Sequence, residues 1–425
     1  MKKNLLLAFF FLFSASFAAQ NLDWFYFLTQ GQSVYSGNFQ NGNRSYSIAI
    51  DSEQNVYMAG VYQENLGVDP ANPTVLQLTS ANGRESNQCF LVKLDKNKNY
   101  LWHKTISIGL NSEASIFSIA IDKSENVIIA GTALGNNINL NPGTATPVLY
   151  NTDNNLQNAI FVNKYSKDGD FIYGNFYKGG MGIPKVTVDK NSDVFLVGQY
   201  HNYFAGYNTD FDLSGQDFYL NGAHGSAFIL KNDGNGNIIN AKFLQGGRIE
   251  AIQFDNDNNL VIFGNAGQIN YNNEASFTNE TNGTGGGDFI LKTNAAMTPI
   301  WFQPIGGQDI YSFLYDSKPF DIDSDNSIVV STTRPAKPIT FQNQTVNINE
   351  PLTRAVLFKV DQDGKYLWHS TVQQADRSQS FFPITVSVAS DHTINWTVRL
   401  NNEFYFTALG EEIEEGVTGF SYAGS

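Results

Sequence analysis

Residues Ile48–Gly60 read IAIDSEQNVYMAG, and the phrase returns five times: IAIDKSENVIIAG from Ile119, VTVDKNSDVFLVG from Val186, IQFDNDNNLVIFG from Ile252, FDIDSDNSIVVST from Phe320 and VSVASDHTINWTV from Val386. Its aspartate position is held by Asp51, Asp122, Asp189, Asp255 and Asp323, then Ala389, at intervals of 71, 67, 66, 68 and 66 residues. Nine residues further on stand Gly60, Gly131, Gly198 and Gly264, replaced by Thr332 and Val398 in the last two copies. A fixed period of this length marks a chain made of stacked copies of one supersecondary unit.

A second phrase follows each of the first five. FLVKLDKNKNYLW, FVNKYSKDGDFIY, FILKNDGNGNIIN, FILKTNAAMTPIW and LFKVDQDGKYLW carry Lys93, Lys164, Lys231, Lys292 and Lys359, and nine residues after each lysine stand Trp102, Tyr173, Asn240, Trp301 and Trp368. Both phrases are an apolar run, a polar turn rich in Asp, Asn and Gly, and a second apolar run of β-branched and aromatic residues, which is the pattern of a β-hairpin. No stretch holds a 3.6-residue apolar spacing with capping signals, so little helix is expected.

Two hairpins per copy give four strands, the unit of a propeller blade. Five full copies supply twenty strands. The sixth offers two strands around Ser387–Leu400 and a third in the tail TGFSYAGS, where Phe420 matches the aromatic of FLVK. The missing fourth strand is read at the other end, in NLDWFYFLTQ over 21–30, where Trp24 takes the place of Trp102 and Trp368. The expected fold is all-β: a six-bladed β-propeller of four-stranded blades, closed by the N-terminal strand joining the last blade. Its repeat units run about 45–110, 116–180, 183–247, 249–307, 317–375 and 383–425, with 21–30 completing the last, in a single domain over 19–425. A lone sheet has two apolar faces and needs neighbours to cover both, and closure also hides an open sheet edge. The repeat aromatics are accordingly read as packing between blades. Trp396, which falls outside the pattern, is the one expected to be exposed.

With these phrases the chain resembles the bacterial β-propeller repeat proteins of the SBBP type, in which D-x-x-x-N-v-y-v-a-G is followed by D-a-F-v-x-K-l-d-x-x-G-x-x-x-W. The resemblance covers nearly the whole chain after its first twenty residues. It implies a propeller that is exported or surface-associated, and it implies no particular activity.

The opening MKKNLLLAFFFLFSASFAAQ sets two lysines before an apolar run from Leu5 to Phe13 and small residues after it. This is the layout of a secretory signal peptide over 1–18, with Ser16 and Ala18 suiting the positions before a cut; an uncleaved anchor is the rival reading. The apolar run is shorter than the roughly 20 residues that span a bilayer, which favours export to the envelope or beyond. No later segment has 18 consecutive apolar residues, so no membrane span is expected. With one cysteine, Cys89, the fold must rest on its core and not on a disulfide. The net charge of −14 and pI near 4.7 argue against nucleic acid and against a polybasic membrane contact.

Chemistry-bearing motifs are few. TDFDLSGQDFYL offers Asp210, Asp212, Ser214 and Asp217, alternating oxygens before a glycine that fit part of a calcium loop, although Asn221 stands where the closing glutamate belongs. Related phrases, with Asn139 and Asn141 in INLNPGTATPVLY and Asn270 and Asn272 in INYNNEASF, favour a turn or edge-strand role instead. Asp321, Asp323 and Asp325 fall in an expected hairpin. The five histidines, His103, His201, His224, His369 and His392, form no metal-ligand spacing. NGTGGGD, 282–288, lacks the lysine and helix of a phosphate loop, and no G-x-S-x-G elbow occurs. No cofactor other than Ca2+ is suggested. The functional expectation is a monomeric binding or surface-interaction module for glycan or protein at the cell surface. Its rivals are a secreted polysaccharide-active hydrolase or lyase, with acidic residues at the central channel, and a structural envelope component.

Overall fold

The computed structural model describes residues 44–63, 65–72, 77–79, 87–106, 108–109, 112–142, 148–150, 159–178, 180–200, 211, 226–279, 286–307, 318–348, 353–374, 381–400, 403–409 and 421–422. Residues 1–43, with the 21–30 segment and Trp24 among them, and Phe420 lie outside them. All regular structure in the described residues is β-strand or short turn, with no helix.

The hairpins form where the turn chemistry places them. In the first, Asp51 Oδ1 accepts the backbone N–H groups of Glu53 (3.1 Å) and Asn55 (2.8 Å), while Gln54 N–H closes on the Asp51 carbonyl at 3.0 Å. The same aspartate-capped turn recurs at Asp122, Asp189 and Asp255. Its fourth residue has positive φ in all six copies, at Gln54, Glu125, Ser192, Asn258, Asn326 and His392. The hydrogen bonds thus hold a left-handed residue without glycine, at a cost of about 1 kcal/mol per site.

Strands Arg44–Ile50, Val56–Tyr62, Gln88–Leu94 and Tyr100–Thr105 make the first sheet in simple antiparallel succession. Glu113–Ile121, Val127–Leu134, Ala159–Tyr165 and Phe171–Lys178 repeat it in the second. The third and fourth are joined. Ile238–Phe254 runs 17 residues as the last strand of one and the first strand of the next, bulged at Gly246, whose φ is +87° and whose Cβ, if present, would lie 2.2 Å from the Gln268 carbonyl. The fifth holds Phe320–Ile322, Ile328–Thr333, Thr353–Val360 and Tyr366–Gln374.

The sixth sheet departs from expectation. Its third strand is Glu403–Leu409, paired with Ile394–Leu400 through a two-residue connection, and not the terminal tail. EFYFTAL alternates in the manner of a strand directly after the Asn401–Asn402 pair, so a local hairpin wins over a long return. Ser421–Tyr422 lies parallel to Gln373 and Gln374 on the outer strand of the fifth sheet.

First strands of successive sheets lie side by side. Ile119 N–H donates to Ser47 Oγ (3.1 Å), Val186 N–H to Ser118 Oγ (3.0 Å), and Val388 N–H to Asp321 Oδ2 (2.9 Å). The core accordingly consists of layers between sheets. Tyr57, Leu91, Ile116 and Phe161 pack between the first and second; Ile160, Val186 and Phe228 between the second and third; Phe195, Ile262 and Phe289 between the third and fourth; Phe263, Ile290 and Phe358 between the fourth and fifth; Leu357, Val386 and Trp396 between the fifth and sixth. This is a propeller-like arrangement of repeated sheets. At its start, Ile48 is 57% exposed, whereas its counterparts Val186, Phe320 and Val386 are buried.

Candidate functional site

The repeat residues occupy one recurring joint. Lys93, Lys164, Lys231, Lys292 and Lys359 lie 3.4, 2.8, 3.6, 2.8 and 2.7 Å from Asp51, Asp122, Asp189, Asp255 and Asp323 of their own sheets. The first four ammonium groups also donate to a carbonyl in the second-hairpin turn of the next sheet, at Lys167, Gly234, Ala295 and Gln362. Each of these four lysines therefore ties its own turn to its neighbour. Ala389 ends the series; His392 Nδ1 instead meets Asp323 Oδ1 at 2.7 Å.

The aromatic position completes the joint. The Trp102 and Trp301 indole N–H groups donate to the Lys167 and Gln362 carbonyls at 3.1 and 3.0 Å, and Gly169, Gly236 and Gly364 of the following turns sit over Trp102, Tyr173 and Trp301. Asn240 replaces the aromatic in the third sheet, and there Met297 replaces the glycine, buried beside Tyr271. Trp368 is half-buried against the sixth sheet. Trp396 is buried as well, its N–H donating to Ser331 Oγ at 2.8 Å, contrary to the expected exposure, because the fifth sheet covers it.

The repeat glycines face the repeat phenylalanines. Gly60, Gly131, Gly198 and Gly264 pair across strands with Phe90, Phe161, Phe228 and Phe289. A Cβ on Gly131 would stand 2.1 Å from the Ser115 carbonyl and 2.5 Å from the Phe161 ring. In the fifth sheet the pair becomes Thr332 and Val356.

Among the calcium candidates, Asp210, Asp212, Ser214 and Asp217 lie outside the described residues. Phe211 between them is buried against Tyr177 and Phe228. Its counterparts Val68, Leu140, Tyr271 and Phe341 are buried too, the last three with a polar residue on either side. The alternation of these phrases thus tracks an inward apolar residue. Asn139 Oδ1 accepts Asn141 and Val148 N–H, and Asn270 accepts Asn273 N–H, as turn caps.

One row of side chains breaks the repeat. Cys89, Ile160, Ala227, Asp288 and Ala355 are equivalent, fully buried positions one residue before Phe90, Phe161, Phe228, Phe289 and Val356. Asp288 alone among them is ionisable as a carboxylic acid. It aligns across the fourth sheet with Asn265 and Arg248, and receives Asn265 Nδ2 at 2.8 Å and Thr332 Oγ1, from the fifth sheet, at 2.6 Å. Glu250, bulged out of register beside it, lies 3.4 Å from Arg248 Nε. Burial pushes the Asp288 carboxyl up to about 7 against its hydrogen bonds to Thr332 and Asn265, and burial likewise raises Glu250 against Arg248 and Lys185. Sequence reasoning missed the row, although the apolar-to-Asp exchange in GDFILK was its available signal.

An exposed set sits on the outer strands. Leu101, Ile172, Ile239, Ile300 and Leu367, each one residue before the repeat aromatic position, are 42–53% exposed.

No protein-family model matches the chain. An uncharacterized WD repeat-containing protein of Acanthamoeba polyphaga mimivirus is 27% identical over 202 residues, which is 43% of this chain and 14% of that protein. Among solved structures, a mutant of the NanB sialidase from Streptococcus pneumoniae superposes with TM-score 0.43 at 10% identity, covering 88% of this chain and 70% of that one. A protein of unknown function from Dyadobacter fermentans gives 0.40 at 9%, covering 87% and 94%. A Synechocystis apocarotenoid oxygenase mutant gives 0.35 at 11%, covering 80% and 65%.

Proposed function

We propose that the chain is an exported interaction module of the SBBP kind, a six-bladed monomer whose outer strands engage a glycan or protein partner at the cell surface. The observation that carries the reading is the equivalence of Leu101, Ile172, Ile239, Ile300 and Leu367. One exposed apolar side chain needs no explanation. The same exposure at the same repeat position in five sheets presents a multivalent surface, on which weak contacts add as avidity. The WD-repeat relative supports an interaction role, the leader sequence supports export, and the exposed Ile48 on the first sheet supports closure by the last. Changing all five rim residues to serine should abolish binding on an array of surface glycans and envelope proteins while thermal unfolding stays put; undiminished binding would refute the rim as the contact surface.

A secreted polysaccharide-active enzyme is the second reading, favoured by the two neighbouring carboxyl groups Glu250 and Asp288, both raised by burial. Turnover of an array polymer that Glu250→Gln removes would establish it in place of the first.

A further inference from the structure

We propose that the junction of the fourth and fifth sheets is a proton-controlled seam, held shut by Asp288 and Thr332 when the carboxyl carries a proton and loosened when it ionises.

The geometry carries this. Asp288 is fully buried in a position that is apolar in the other sheets, and its Oδ2 meets a hydroxyl of the neighbouring sheet at 2.6 Å. That hydroxyl also lies 3.3 Å from the Gly306 carbonyl. With the acid protonated, a chain of donors runs from Asp288 O–H to Thr332 Oγ1 and from Thr332 O–H to the Gly306 carbonyl. With the acid ionised, the single Thr332 proton must turn to the carboxylate and the Gly306 contact is given up. Gly307 closes the site from above: a Cβ there would lie 2.2 Å from Thr332 Oγ1 and 2.4 Å from Asp288 Oδ2. The lost bond must then be made up by movement of the Gly306–Gly307 backbone or by water entering between the sheets, and either parts the seam.

The groups that face the carboxyl fix the sign. From its own sheet come Asn265, Arg248 and Glu250; from the fifth comes Thr332, which does not titrate. Arg248 favours the ionised form, but it lies 3.4 Å from Glu250, which opposes it. Burial dominates, and the carboxyl titrates near 7 when the seam is shut. In an opened seam it returns toward the ordinary carboxylate value. The seam is therefore tightest below that ordinary value, loosens as pH rises from about 4 toward 7, and changes little above.

Native-state hydrogen exchange on the intact chain reads this directly, with protection factors corrected for the intrinsic pH dependence of exchange. Between pH 5.5 and 8.5, protection of amides in Ile328–Thr333 and Gly287–Asn294 should fall about 30-fold, the effect of the roughly 1.5 pH units that separate the lower pH from the folded pKa. Amides of Ala159–Tyr165 in the second sheet should not change in step. Asp288→Asn, which can still bond Asn265 and Thr332, should flatten the response, and Thr332→Val should lower protection at pH 5.5 while leaving a pH response. A flat wild-type seam overturns the proposal, as does an unaltered pH response in Asp288→Asn. If that variant does not fold, the wild-type comparison between the two sheets decides alone.

Discussion

A lysine and an aspartate 42 residues apart, Lys164 and Asp122, meet at 2.8 Å with almost no exposure. Removing one partner of such a pair leaves the other buried and uncompensated. Lys164→Met is thus expected to cost about 3–5 kcal/mol in urea titrations, whereas Lys365→Met, from the exposed pair with Asp363, should change stability by no more than about 0.5 kcal/mol. Burial alone would raise the Asp122 carboxyl, but Lys164 and Asn126 overcome it and hold the group below the ordinary carboxylate value; Asp51 and Asp323 are lowered in the same way. A lowered carboxylate contributes stability above its unfolded pKa and loses it as pH falls through the folded one. Unfolding below about pH 4 should therefore be steep, and Asp122→Asn should make it shallower in an acid titration followed by far-ultraviolet dichroism. The sequence displays every one of these residues as a repeated letter. It does not display the joint, because the second partner of the first four lysines is a backbone carbonyl of the next copy, 64 to 74 residues away.

At the scale of elements, turns and strands are the legible part. Asp51, Asp122, Asp189 and Asp255 cap their hairpins as turn chemistry demands, and the apolar runs become strands, the inner ones Val56–Tyr62, Gln88–Leu94 and Ala159–Tyr165 buried along their whole length. The outer ribbons were harder to read: polar flanks draw attention, while Val68, Leu140, Phe211, Tyr271 and Phe341, the residues that position them, carry no chemistry. The terminal tail matches the repeat by one phenylalanine, whereas the hairpin signal at Glu403–Leu409 is local to the preceding strand and supplies the third strand of the sixth sheet. The joint between the third and fourth sheets supplies a test of how elements couple. Met297 stands where glycine makes room for an aromatic in other joints and is fully buried, so Asn240→Trp should destabilise by overpacking and Met297→Gly by opening a cavity. The double variant should recover about 0.5–3 kcal/mol relative to the sum of the single changes in a double-mutant cycle. Simple additivity would mean that the two positions do not share the joint.

For the whole molecule, inter-sheet layers follow one another from the first sheet to the sixth, the other face of the first sheet is itself a buried cluster of Val56, Met58, Phe90, Val92 and Leu94, and the energetic question is the first strand. Ile48 and Ile50 are 57% and 60% exposed on the first strand. If the sixth sheet and the 21–30 segment close against them in solution, Ile48→Ser should cost about 1–2 kcal/mol, as burying an aliphatic side chain implies; a change under about 0.5 kcal/mol, as at an open surface, would leave the array unclosed. The repeat period made the serial architecture readable, since copies that cover one another must stack. The Asp288 row stayed hidden for the opposite reason: it is a single exception, and a pattern search passes over what occurs once. The unbroken strand Ile238–Phe254 has its own consequence for how such a chain can be cut and rejoined. Elsewhere, recombination between copies could drop or duplicate a unit at a loop, leaving both flanking sheets whole. Here a cut near Gly246 falls inside a rib shared by the third and fourth units, so removing either unit there disturbs the other.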